Sequence, residues 1–187
     1  MKVFVCGSVD PRIKPEYLEG IDKIAENILA NHDGVMCVGS QTGSIGAMYS
    51  KMIEGDGFVD IIVPTPYAHE AKGMIANSIT AVDTLFMLQQ VALRNTNITI
   101  VLPGGNGTLA ELYMITDSIK SKFDTDEVIV YNINGFYNHI KDMNDFMLEA
   151  GVLNETQYKF FTWCNTAEEV IAVLEKNREK LLKEGNN

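Results

Sequence analysis

The chain has 187 residues, 46% of them hydrophobic, and carries 15 Lys and Arg against 25 Asp and Glu, a formal net charge of -10. That length suits one domain with a substantial core. The acidic balance opposes polyanions, so neither nucleic acid nor an anionic membrane is an expected partner, and no apolar run approaches the ~20 residues needed to span a bilayer.

In chain order, Met1-Lys2 leads straight into Val3-Phe4-Val5-Cys6. This reads as a strand, not as the charged-then-apolar opening of a secretory signal, and a cytoplasmic location is expected. Gly7-Ser8-Val9-Asp10-Pro11 forms the first turn. After Pro15, the positions Leu18, Ile21, Ile24, Ala25, Ile28 and Leu29 repeat at helical spacing, with a stop at Asn31 to Gly34. Further strands are expected at Val35-Val38, Val59-Val63, Ile79-Val82, Ile98-Leu102, Val128-Tyr131 and Phe160-Trp163. Helices are expected over Gly43 to Glu54, Thr84 to Arg94, Thr108 to Lys122, Phe136 to Glu149 and Thr166 to Glu184, with a frayed polar end to Asn187. Strands alternating with helices define the fold class: α/β, a single domain over 1–187, doubly wound and Rossmann-like, with a mostly parallel sheet of about seven strands and helices on both faces. Cys6, Cys37 and Cys164 are odd in number and widely spaced, so no disulfide framework is expected.

Ligands of such sheets bind beyond the carboxyl ends of the strands. Three of those ends carry glycine or small polar residues: Gly7-Ser8, the run Gly39 to Gly46, and Pro103-Gly104-Gly105-Asn106-Gly107-Thr108-Leu109-Ala110-Glu111. Any one of them is an ordinary strand-to-helix turn, but three on one edge point to a shared pocket. In the third, glycines admit close backbone approach and a helix opens at Thr108 with unpaired N–H groups facing the turn, which makes an anion site. The expected substrate- and phosphate-binding residues are therefore Ser8, Gly39, Gly43, Gly104, Gly105, Gly107 and Thr108. The first turn lacks Gly-x-Gly-x-x-Gly, and Gly39 to Gly46 lacks the lysine of a Walker loop, so neither a dinucleotide fingerprint nor ATP hydrolysis of that kind is indicated. His32, His69 and His139 lie far apart without partners at ligand spacing, so no metal is expected.

The Pro-Gly-Gly-x-Gly-Thr-x-x-Glu element resembles the defining motif of the LONELY GUY family of nucleoside monophosphate phosphoribohydrolases, whose members often bear the label lysine decarboxylase. Cys6-Gly7-Ser8, Gly39 to Gly46, Ala81-Val82-Asp83-Thr84 and Asn134-Gly135-Phe136-Tyr137 resemble other segments of that family, so the likeness spans nearly the whole chain. It implies a doubly wound domain, at least dimeric, that cleaves the N-glycosidic bond of a nucleoside 5'-monophosphate to free base and ribose 5-phosphate, with no cofactor. Glu111 is then the catalytic residue: bond cleavage builds positive charge on the ribose, and a fixed carboxylate stabilises that charge or orients water. Spacing alone also allows Thr108 and Glu111 to form a capping box.

The family carries Met-x-x-Arg-Lys on the preceding helix, and the arginine acts with the motif glutamate. Here Leu85, Leu88 and Gln89 stand at those places, and leucine cannot imitate a charged bidentate fork. Arg94 lies six residues beyond Leu88, about 240° further around the helix. The alternative reading is a nucleotide-binding or sensing protein that kept the glycine loops and lost catalysis. A third is cleavage of another base or ribose type with Gln89 or Gln90 as a neutral hydrogen-bonding substitute.

Overall fold

The computed structural model describes residues 1–120 and 127–184. In chain order the elements are β1 (Lys2–Cys6), α1 (Ile21–Ala30), β2 (Gly34–Cys37), α2 (Gly43–Glu54), β3 (Phe58–Pro64), β4 (Ser78–Val82), α3 (Leu85–Asn95) and β5 (Ile98–Val101). They continue with α4 (Asn106–Lys120), β6 (Val128–Tyr131), α5 (Asn138–Glu149), α6 (Glu155–Tyr158), β7 (Phe161–Cys164) and α7 (Ala167–Glu184). All seven strands join one sheet in the order β4-β3-β2-β1-β5-β6-β7, and every pairing is parallel. This is the Rossmann-like α/β architecture.

The period-2 alternation of β1 assigns the two helix layers. Val3 and Val5 enter one buried cluster with Ile21, Ile24 and Ile28 of α1, Ile45, Met48 and Met52 of α2, and Val170 and Leu174 of α7. Phe4 and Cys6 enter the other, with Leu88 and Ala92 of α3, Leu112 and Ile115 of α4, and Tyr137 just before α5. Burial on both faces explains why the strands read as continuous apolar runs, each fully covered large side chain contributing about 1.5–3 kcal/mol.

Most element boundaries agree with the sequence reading to within one or two residues. The first helix differs: Pro15–Tyr17 forms a 3-10 turn, and α1 begins only at Ile21, after Gly20 at φ 77°. Thr84 is not in α3 but caps it, accepting from the Met87 amide at 3.1 Å. The helix expected from Phe136 begins at Asn138, because a 3-10 turn at Ile133–Gly135 with left-handed Asn134 precedes it. The short α6 was not expected, although Asn154 and Gln157 close a capping box at its start. Lys122, the expected end of α4, lies outside the described residues. All three cysteines are free and buried.

Candidate active site between β1 and β5

The strand order reverses between β1 and β5, because the chain runs outward through β2, β3 and β4 and then returns to pair β5 with β1. A crevice opens at the carboxyl ends of two strands that diverge in this way. Cys6 pairs with Val101, so Gly7-Ser8 and the Pro103 turn leave the sheet side by side. The Ser8 amide donates to the Pro103 carbonyl at 3.2 Å and the Leu102 amide to the Cys6 carbonyl at 2.8 Å. Ser44, at the head of α2, joins them to the second loop. Its hydroxyl donates to the Pro103 carbonyl at 2.7 Å and accepts from the Ser8 amide at 2.8 Å.

The tertiary structure separates the glycines by surroundings. A Cβ at Gly43, where φ is 73°, would fall on the Ser8 carbonyl, and one at Gly39 would lie 2.9 Å from the Ala71 Cβ. At Gly104 it would strike the buried Thr108 side chain. These positions are glycine because protein fills the space beside them. Around Gly105 and Gly107 none of the described residues lies within 4 Å of an added Cβ, so this part of the turn faces open space. Of the seven expected binding residues, Ser8, Gly104 and Gly105 line a common cleft of about 420 Å³ with Asp10, Arg12, Ile13 and Phe136. Gly107 is exposed just beyond it, whereas Gly39, Gly43 and Thr108 do not line it.

Helix α4 begins two residues before the expected Thr108. The Leu109 amide donates to the Gly105 carbonyl at 3.0 Å, which makes Gly105 the residue before the helix and leaves the amides of Asn106, Gly107 and Thr108 without intrahelical acceptors. With the helix dipole behind them, these groups favour an anion in the open space. The shift also rules out the capping box of Thr108 with Glu111, since Thr108 lies inside the first turn. Glu111 instead turns toward the sheet, where its carboxyl hydrogen-bonds the Cys6 thiol. Burial pushes Glu111 up to about 7, and the Cys6 hydrogen bond opposes that rise only in part. Burial together with the neighbouring Glu111 charge drives the Cys6 thiol well above its ordinary value. An acid poised near neutrality at the start of α4, behind an open glycine turn, is suited to exchanging between charged and neutral forms.

Tyr137 was not among the expected site residues, yet it fixes the turn from below. Its hydroxyl donates to the Leu102 carbonyl at 2.7 Å and accepts from the Gly104 amide. Burial raises this phenol well above its usual range, the Gly104 hydrogen bond opposing and the Cys6 and Glu111 charges adding. Asn132 holds Tyr137 in place by accepting from its amide at 2.6 Å. The Asn-Gly-Phe-Tyr segment was the available sequence signal, but nothing local says that its last residue reaches β5.

Leu88 is 1% exposed, within the apolar cluster under α3, so no cation stands there. Gln89 is buried too, and among the described residues neither atom of its amide finds a hydrogen-bond partner, while Gln90 is exposed. Arg94 lines a different hollow with Thr96, Asn97 and Glu127, at the amino end of β5. It stands at the opposite end of the strands from the glycine turn. His32, His69 and His139 are all exposed.

The fold and this crevice define a doubly wound α/β protein with an open glycine turn at its topological switch point. The chain belongs to the LONELY GUY family: the family model described as possible lysine decarboxylase matches residues 30–174. Its relatives include the cytokinin riboside 5'-monophosphate phosphoribohydrolases LOG3 and LOG5 of Arabidopsis thaliana. LOG3 is 24% identical over 91% of this chain and 80% of its own length, and LOG5 is 25% identical over 91% and 75%. Among solved structures, the molybdenum cofactor binding protein of Rippkaea orientalis superimposes with a TM-score of 0.68 at 14% identity, covering 94% of both chains. That likeness is one of fold.

Proposed function

We propose that this chain hydrolyses the N-glycosidic bond of a nucleoside 5'-monophosphate, releasing free base and ribose 5-phosphate. The observation that carries the reading is the freedom of Glu111 from any capping duty, one helical turn behind open amides and poised near neutrality. The phosphate would sit against Gly105, Asn106 and Gly107, with Ser8 on the opposite wall. The ribose would then lie toward Glu111. Its carboxylate stabilises the cationic sugar as the glycosidic bond breaks and orients water against the anomeric carbon. Family membership and relatives named as phosphoribohydrolases support the same chemistry. The decarboxylase wording of the family description has no such support, since among the described residues no lysine lines the cleft to hold an aldehyde cofactor.

A second reading, a nucleotide-binding sensor without turnover, is favoured by one observation: Leu88 is sealed in the core where the family's arginine would act. Incubating the protein with the common nucleoside monophosphates separates the two. Free base and ribose 5-phosphate are expected. Binding without release of base would replace the hydrolase by the sensor. Self-association belongs to the proposal as well: Leu85, Phe86 and Met87 in the first turn of α3 are 58%, 61% and 42% exposed, an apolar face that a second copy of the chain would cover. Light scattering is expected to give a mass above the 20.7 kDa of one chain.

A further inference from the structure

The cleft before α4 contains one full positive charge, and it comes from an unexpected place. Arg12, on the loop after β1, lines the cleft with Ser8, Gly104, Gly105 and Phe136. Its guanidinium does not reach into the protein. The side chain is 88% exposed and curls back onto Asp10, with Nε 2.9 Å from Oδ1 and Nη2 2.6 Å from Oδ2. The Arg12 amide also donates to Asp10 Oδ1 at 2.9 Å, and the Asp10 amide to the Ser8 hydroxyl at 3.0 Å. The loop thus holds the planar fork in a bidentate grip at the rim of the anion-facing turn.

A phosphate monoester brings close to two negative charges into a chain of net charge -10, beside Asp10. The partial charge of a helix terminus is about +0.5, which leaves most of that charge unmatched. The other cations do not line this cleft: Lys14 lies 3.9 Å from Glu16 outside it, Lys23 is paired with Glu168 beside a separate hollow lined by Glu19, Asp22 and Glu168, and Arg94 is at the other end of β5. Carboxylate and phosphate present the same pair of acceptors to a guanidinium. An exposed ion pair is weak, so exchanging one for the other costs little.

We propose that Arg12 is the phosphate clamp of this chain: it leaves Asp10 for the phosphate of the bound nucleotide and supplies the cation that is missing at Leu88 and Gln89. The assignment rests on the cleft proposed above as the nucleotide site, and it makes the ligand a phosphate monoester rather than a free nucleoside. Asp10 is the resting partner and competes with the ligand.

Calorimetric titrations with AMP, adenosine and inorganic phosphate, run alongside the base-release assay, test it. Arg12→Ala is expected to weaken AMP binding about ten- to hundredfold, the worth of a charged hydrogen-bonding group, and to flatten its salt dependence, with adenosine binding unchanged. Arg12→Lys should restore only part, lacking the fork, and Asp10→Asn should tighten AMP by removing the competitor. Equal AMP affinity in wild type and Arg12→Ala overturns the clamp while leaving the hydrolase reading intact. Loss on Arg12→Ala in a protein that releases no base supports the clamp and overturns the hydrolase. A wild type that binds neither AMP nor phosphate overturns both.

Discussion

Two glycine-rich turns follow parallel strands in this molecule and look alike in sequence, but they face different things. After β2, Gly39, Gly43 and Gly46 each have protein where a side chain would be: Ala71, the Ser8 carbonyl and the Gln41 backbone. After β5, Gly105 and Gly107 have open space. A glycine is required in the first turn because the chain itself occupies the position. In the second, the absence of a side chain serves only an arrival from outside. The first turn packs behind Ser8 without lining the crevice, and the second is the surface on which a ligand would rest. Gly104 belongs with the first group although it sits in the second turn, since Thr108 fills its side and Tyr137 holds its amide.

Substitutions can break this contrast, beginning with the packed turn. Gly43→Ala must place a Cβ on the Ser8 carbonyl at a left-handed φ of 73°, and a loss of at least about 3 kcal/mol is expected in denaturant unfolding. An unchanged midpoint would dissolve the distinction between the turns.

Glu111→Gln comes next and tests the open turn. Turnover on a nucleoside monophosphate should fall on the order of 10²-fold or more, because the lost charge acts mainly in the transition state. The wild-type rate should climb with pH through about 7 as the carboxyl ionises, and the variant should lose that limb. Stability moves the other way. Burial raises Glu111 from 4.5 to about 7, so the folded state holds its proton more tightly than the unfolded one. That contribution is complete below about pH 4.5 and is lost as pH rises through about 7. Glu111→Gln should therefore be more stable than wild type at pH 8, on the order of 3 kcal/mol, with little difference at pH 4. A variant less stable at both pH values would mean that the carboxylate is structural.

Tyr137→Phe removes the hydroxyl that joins Leu102 to Gly104. A loss of about 1–2 kcal/mol is expected for the two groups left unpaired, with weaker AMP binding as the turn loosens. The smallest effect on stability belongs to Gly107→Ala. With free space around it and a position inside α4, alanine should stabilise the fold by up to about 1 kcal/mol in a thermal melt while weakening AMP binding. If Gly107→Ala binds AMP as wild type does, the open turn is not the ligand surface.

Much of the fold was legible because its signals are local. Apolar runs such as Ile98-Thr99-Ile100-Val101 sit between covering helices, and the three-to-four spacing from Ile21 to Ile28 marks one buried face. Where the reading slipped, a turn or cap intervened, as at Gly20 before α1 and at Asn134-Gly135 before α5, because left-handed residues end or delay a helix without altering its apolar period. The motif at Pro103 was legible as well, but its parts were not. Thr108 and Glu111 have capping-box spacing, and the sequence cannot say that the helix starts at Asn106 and withdraws Thr108 from the cap.

The sequence by itself determined that strands and helices alternate, that the sheet is parallel with helices on both faces, and that a glycine turn with unpaired amides precedes α4. Those features depend on propensity and periodicity within a few residues. Only the tertiary structure decided which glycines are filled by protein and which are open, that Cys6 lies against Glu111 and raises the stakes of its charge, that Tyr137 reaches under the turn, and that Arg12 stands at its rim. Several of those outcomes join residues far apart in the chain that the strand order brings together, as Cys6 after β1 is brought beside Val101 of β5. Burial and contact at that distance along the chain are properties of the assembled sheet, and no local pattern encodes them.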